Sequence, residues 1–301
     1  LPKKVAQLIS FLALGKINFM SFKIILTALL LSSGFCGIAQ EESLKLASDI
    51  WPPFTNVEGE KRIANDIVSK ALANIDITNS LEIVDFSSVM TGIYDGTYAG
   101  SGALWYSDER AKELLFSKPY LYNQLILVGR KGSDVSATNF KELGSAKIAV
   151  VENYAYGDLL LENTQITFFQ GKSDQKNLEQ LLSKKVDYIL VDALLIQYLL
   201  KYQTNDVSHF LEIGSTPLST KALHFALHKK VANAAEIIQQ FNAEIDTMMA
   251  DGTYHQILEL NWMKIDMDGD GSLELVLIGD AAGLDAPGTA YSIDPNAADL
   301  Q

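Results

Sequence analysis

Short apolar runs alternate with stretches of helical period along most of this chain, and that alternation restricts its fold more than any other feature. Leu44-Lys45-Leu46-Ala47, Leu81-Glu82-Ile83-Val84, Leu125-Ile126-Leu127-Val128, Lys147-Ile148-Ala149-Val150-Val151 and Tyr188-Ile189-Leu190-Val191 have the length and composition of strands. Between the first two, Ile63, Ile67, Ala71 and Leu72 form one helical stripe, with Asp66 near its start. Val231, Ala234, Ile238, Phe241, Ile245 and Met248 recur at spacings of three and four and predict a long amphipathic helix that stops at Asp251-Gly252. Strands alternating with helices predict an α/β chain built on open, mostly parallel sheets covered on both faces. No internal repeat supports a solenoid or propeller.

Composition narrows the function classes. Hydrophobic residues make up 48% and charged residues 20% of the 301, which suits a packed core and excludes chain-wide disorder. A net charge of -13 opposes a phosphate backbone, so a nucleic-acid partner is not expected. The single cysteine excludes an intrachain disulfide and a cysteine-rich metal cluster. His224 and His228 fall on one face of an alternating stretch, without a helical HExxH, so zinc is not expected there either.

Residues 1–39 read as an upstream extension and a signal peptide, outside the fold. Met20-Ser21-Phe22-Lys23 precedes the apolar run Ile24–Leu31, and small Gly37 and Ala39 stand where signal peptidase reads, which predicts a mature start at Gln40. The run is too short to span a bilayer. Cys36 could carry a lipid, but Phe35 stands where a small residue is needed, so a free periplasmic protein is the expectation. Residues 1–19 precede Met20 and read either as a mis-assigned extension or as a longer basic segment of the signal.

Four motifs in order carry a resemblance. Trp51-Pro52-Pro53-Phe54 ends the first strand, Ser107-Asp108-Glu109-Arg110-Ala111-Lys112 is followed by Phe116-Ser117-Lys118-Pro119-Tyr120, Val186–Asp192 forms a later strand, and Ala250-Asp251-Gly252-Thr253-Tyr254 runs to Leu258. Together they resemble the bacterial extracellular solute-binding proteins of family 3, the polar-amino-acid-binding type of periplasmic receptor, over about residues 43 to 262. The resemblance implies a two-lobe periplasmic-binding-protein (type II) fold with a hinge-closed cleft. Lobe 1 would be 40–127 with a return part 224–262, lobe 2 would be 128–223, and 263–301 would be an acidic tail. The crossing strands would be Leu125–Gly129 and Leu223–Leu227.

The same resemblance implies the ligand site. Arg110 stands at the family's carboxylate-binding arginine, and a guanidinium suits that duty because it offers two parallel donors in a rigid fork. Asp192, at a strand end, stands at the partner for a ligand ammonium. Trp51 matches the family's stacking aromatic, Trp105 and Tyr106 precede Arg110 at the cleft edge, and Asn153, Tyr154 and Ala155 occupy the second lobe's donor cluster. Ala103 and Trp105 replace small hydroxyl residues, and Asn153-Tyr154-Ala155-Tyr156 replaces a hydroxyl-rich cluster, which allows a bulkier or less polar ligand. The alternative for Arg110 is a solvated pair with Glu109 or Glu113.

In the tail, Asp266, Asp268, Asp270 and Ser272 surround Gly269 and Gly271 at calcium-loop spacing, but Leu277 stands where an EF-hand has glutamate. The run resembles the short calcium loops of dockerin-like and integrin-type segments, with Glu274 or Asp280 able to close the ligand set, so calcium is the one cofactor expected. The function expected is non-catalytic: a monomeric periplasmic receptor that captures a small polar, amino-acid-like ligand for ABC-type import through an inner-membrane permease, or for sensing. The alternatives are an enzyme on the same fold, dehydratase- or transglycosylase-like, and a signalling module outside transport.

Overall fold

The computed structural model describes residues 43–203, 207–258, 261–265, 274–279 and 291–292. The expected signal segment and Asp266, Asp268, Asp270 and Ser272 of the expected calcium loop lie outside the described residues. The chain opens with β1 (Leu44–Ser48), α1 (Ile63–Asn74), β2 (Asn79–Ile83), α2 (Phe86–Asp95), β3 (Gly100–Trp105), the short α3 (Asp108–Ala111) and β4 (Leu114–Phe116). The long β5 (Leu121–Arg130) leads to β6 (Lys147–Val151), α4 (Asp158–Glu162), β7 (Thr167–Gly171), α5 (Asp174–Leu182), β8 (Tyr188–Asp192), α6 (Ala193–Tyr198) and β9 (Leu211–Ile213). A second long strand, β10 (Ser219–His228), returns to α7 (Ala234–Asp251) and α8 (Thr253–Ile257), followed by the hairpin β11 (Asn261–Ile265) and β12 (Glu274–Gly279).

Strand order in the main sheet is β2-β1-β3-β10-β5-β8-β6-β7, with β4 on β10 and β9 on β5. The two ends are parallel, β1 with β2 and β3, and β6 with β7 and β8. The middle is antiparallel, which corrects the expectation of mostly parallel sheets. The reason is the path of the chain. It leaves the first half of the sheet along β5 and comes back along β10, so these strands run against each other and against their neighbours. Ser219 pairs with Leu125 and Leu223 with Leu121; beyond that overlap β5 continues beside β8, and β10 continues beside β3 and β4.

The helices form where the apolar stripes are. Ile63, Ile67, Ala71 and Leu72 are buried on α1, and Ala234, Ile238, Phe241, Ile245 and Met248 on α7. Each Ile, Leu, Phe or Met among them contributes about 1.5–3 kcal/mol when fully buried. Val231 falls just before α7, because Asn233 takes a left-handed φ of 57° and starts the helix one turn later than the stripe. Gly252, with φ 90°, ends α7 at the expected place. Gly100 answers to a different need: a Cβ there would lie 2.0 Å from the Ala226 carbonyl oxygen, so only glycine lets β3 and β10 pair.

Several motif residues serve this frame. Tyr120, fully buried, donates from its hydroxyl to the Gly102 carbonyl at 2.6 Å, and the Tyr254 hydroxyl donates to the Tyr120 carbonyl at 2.7 Å. Ser117 exchanges backbone and side-chain bonds with Phe225. His224 bonds the Ser117 carbonyl through Nδ1, and His228 accepts from the Lys230 N–H, so each histidine has its own partner. Among the described residues no group of histidine, cysteine and carboxylate side chains could hold a metal ion, and no helix is long and apolar enough to cross a membrane.

Candidate functional site

The carboxyl ends of β1, β3 and β6 converge on a narrow cleft lined by Asp49, Trp51, Phe86, Trp105, Arg110, Tyr154 and Ala155, among others. Each side chain arrives for a local reason. Trp51 follows β1 in a tight turn closed by its N–H to the Thr55 carbonyl. Ser107 caps α3 by accepting the Arg110 N–H at 3.3 Å, which places Arg110 one turn in from the cleft edge. Asn153, at a left-handed φ of 64°, reverses the chain after β6 and presents Tyr154.

Tyr154 is the centre of the aromatic wall. Its ring lies 4.7 Å from Phe86, 5.2 Å from Trp105 and 6.1 Å from Trp51, all near edge-on. Its hydroxyl donates to Asp49 Oδ2 at 3.2 Å. Arg110, only 5% exposed, lies beneath Phe86 with its guanidinium carbon 5.4 Å from the ring centre. Its Nη1 donates to the Trp105 carbonyl at 2.7 Å and its Nη2 to the Asn153 carbonyl at 2.8 Å. Among the described residues no carboxylate pairs with it: Glu109 pairs with Lys112 instead, so the solvated-pair alternative is not what the structure has. Burial pulls the guanidinium down to about 10.

A second, wider opening adjoins the first and shares Asp49, Phe86 and Tyr154. Asp85, Lys172, Ser173, Asp174 and Gln175 also line it. Burial raises the Asp49 carboxyl to about 6, against the bond from Tyr154. Burial also raises Asp174 to about 8, with Asp49 and Asp192 adding repulsion. The combined cleft therefore has a buried cation at one wall, acids that resist ionising at the other, and aromatic faces between them.

The profile of the bacterial extracellular solute-binding proteins, family 3, matches residues 44–264. The chain belongs to that family. Members similar to it include the arginine-binding periplasmic protein of Mannheimia haemolytica, 22% identical over 79% of this chain and 98% of that protein. The L-cystine-binding protein TcyJ of Escherichia coli K12 is 28% identical over 54% of this chain and 58% of its own length. Among solved structures, an ancestral arginine-binding protein bound to arginine superposes with a TM-score of 0.61 at 20% identity, over 72% of this chain and 96% of that one. The GluR0 ligand-binding core of Nostoc punctiforme in complex with L-glutamate gives 0.59 at 18% identity, over 72% and 97%. These likenesses show the two-lobe, type II periplasmic-binding-protein fold.

Of the eight ligand residues that the family resemblance implied, the cleft brings together Trp51, Trp105, Arg110, Tyr154 and Ala155. Tyr106 is not among its lining. It is 50% exposed, because successive side chains of an extended strand end alternate, and its hydroxyl donates to Asp108 at 3.0 Å. Asn153 contributes its carbonyl to Arg110 while its side-chain amide donates to Ser87 at 2.9 Å. Asp192 also lies outside both linings and is 1% exposed, since it caps α6 through the Leu194 and Leu195 N–H groups and accepts from the Gln124 N–H and the Asn123 amide. It still communicates with the cleft, because Asn123 also accepts from Trp105 Nε1 at 2.8 Å. Asp49, Phe86 and Asp174 are among the lining residues that motif reading missed. Only Asp49 had a signal, two residues before Trp51 at a strand end.

Proposed function

We propose that this protein is a periplasmic receptor that captures an amino-acid-like ligand carrying a cationic side chain and hands it to an ABC-type inner-membrane permease. The observation that supports this reading best is the charge layout of the cleft: Arg110 buried with no carboxylate partner among the described residues at one wall, Asp49 and Asp174 at the other. A ligand carboxylate would take over the Arg110 Nη2 donor now given to the Asn153 carbonyl, exchanging a neutral acceptor for a charged one. The aromatic faces of Trp51, Phe86 and Tyr154 would sandwich the aliphatic stem, and the distal cation would face Asp49 and Asp174. Lobe 1, 40–127 with 224–262, and lobe 2, 128–223, would close about β5 and β10. The arginine-binding relatives support the ligand class, and the family and these relatives are named for binding, not for catalysis.

Isothermal titration with L-arginine, L-lysine, L-cystine and L-glutamate tests the reading. Tight binding of a cationic amino acid and weak binding of L-glutamate are expected. Preference for L-glutamate, or chemical turnover of a bound amino acid, would overturn it.

A further inference from the structure

Tyr291 lies beyond residue 264, where the family match ends, yet it is only 7% exposed. Its ring centre is 6.0 Å from that of Phe54, the fully buried aromatic beside Trp51. Its hydroxyl donates to Asp192 Oδ1 at 3.3 Å and accepts from the Leu194 N–H at 3.1 Å. Phe54 follows β1 and Asp192 ends β8, so one side chain touches strand ends from both halves of the sheet.

The other groups bonded to Asp192 cannot leave it cheaply. The Leu194 and Leu195 N–H groups are the first turn of α6, and Gln124 and Asn123 belong to β5. Among the described residues, the Tyr291 hydroxyl is the one contact to this carboxylate from outside the β5, β8 and α6 unit. It shares Oδ1 with the Leu194 and Leu195 N–H groups, while Oδ2 accepts from Gln124 and Asn123.

We infer that Tyr291 is an intrachain competitor for ligand: its hydroxyl stands on Asp192 in place of a ligand ammonium, and its ring, seated on Phe54, ties the ends of β1 and β8 together until ligand displaces it. The inference rests on the amino-acid reading above. A tethered competitor lowers apparent affinity by the fraction of molecules in which it is off its site. Arg110 has a matching arrangement, with the Asn153 carbonyl at its Nη2. The chain thus satisfies both charged anchors with its own neutral groups.

Two measurements on the full chain test this. Tyr291→Phe keeps the ring and removes the hydroxyl, and should tighten L-arginine binding about tenfold, or about 1.4 kcal/mol. Without ligand, the thermal unfolding temperatures of Tyr291→Phe, Asp192→Asn and the double variant should be coupled, with the double variant losing less than the two singles combined. A purely structural Tyr291 would lower the unfolding temperature and leave arginine affinity unchanged, which overturns the competition. Additive unfolding effects overturn the contact itself. If neither the wild-type protein nor Tyr291→Phe binds any of the four amino acids, the amino-acid reading and the competition both fall, while the unfolding cycle still decides the contact.

Discussion

Arg110 is the residue on which most of the site depends, and its chemistry makes it demanding to replace. A buried guanidinium that meets a ligand carboxylate desolvates both partners, so truncation would leave the carboxylate without a counter-charge. Arg110→Ala is expected to weaken L-arginine binding by about 3–5 kcal/mol, roughly a hundred- to several-thousand-fold. Arg110→Lys should recover little of that, because an ammonium lacks the fork that reaches both the Trp105 carbonyl and the position now held by the Asn153 carbonyl. Titration of the two variants checks both statements. Asp49 and Asp174 predict a pH effect at the same scale. Their carboxyls are raised to about 6 and about 8, so a cation arriving beside them favours ionisation and expels protons. Arginine affinity should therefore rise as pH increases from about 6 to about 8, with proton release visible as a buffer-dependent binding enthalpy. Asp174→Asn should flatten the upper part of that rise, and a pH-independent affinity would refute the assignment.

Among elements, the β3–β10 pairing and the α6 cap decide where the cleft side chains stand. Gly100→Ala drives a methyl into the Ala226 carbonyl and should cost about 1–3 kcal/mol of stability, read by denaturant unfolding. Because β3 ends at Trp105 and leads to Arg110, the same change should also weaken binding, which a loss of stability elsewhere would not do. The spacing of Asp266, Asp268, Asp270 and Ser272 between β11 and β12 predicts calcium binding by that run, independent of the cleft. Calorimetry should show a calcium-dependent transition in the parent protein that Asp268→Ala removes, with the main unfolding transition kept. An identical calcium response in Asp268→Ala would rule the loop out.

Among the described residues, burial raises the carboxyls of Asp49, Asp192 and Asp174 to about 6, 7 and 8. Each holds a proton in the folded chain at pH values where the unfolded chain has released it. Their joint contribution is thus present in full below about pH 4 and is lost as pH rises through about 6 to 8. Thermal unfolding without ligand is expected at a higher temperature at pH 5 than at pH 8.5, and the difference should shrink in Asp49→Asn and Asp174→Asn. Saturating L-arginine should restore stability on the alkaline side, since it supplies the counter-charge and binds only the folded state.

The strand and helix alternation, the stop at Gly252 and the order of motifs from Trp51 to Tyr254 are local properties, and the residues alone determined them. Apolar period, turn chemistry and a glycine beyond a helix act within a few neighbours, so α1, α7, β6 and β8 were legible before any packing was known. The antiparallel middle of the sheet was not legible, because strand direction depends on which distant segments pair, and β5 and β10 meet across nearly a hundred residues of chain. Site chemistry divides in the same way. Trp51, Trp105, Arg110 and Tyr154 follow from motif positions, whereas Asp174 faces the cleft only because α5 begins beside the end of β1. That Asp192 is sealed by its own helix, by β5 and by Tyr291 was decided by tertiary structure alone, since those partners come from segments with no common sequence signal.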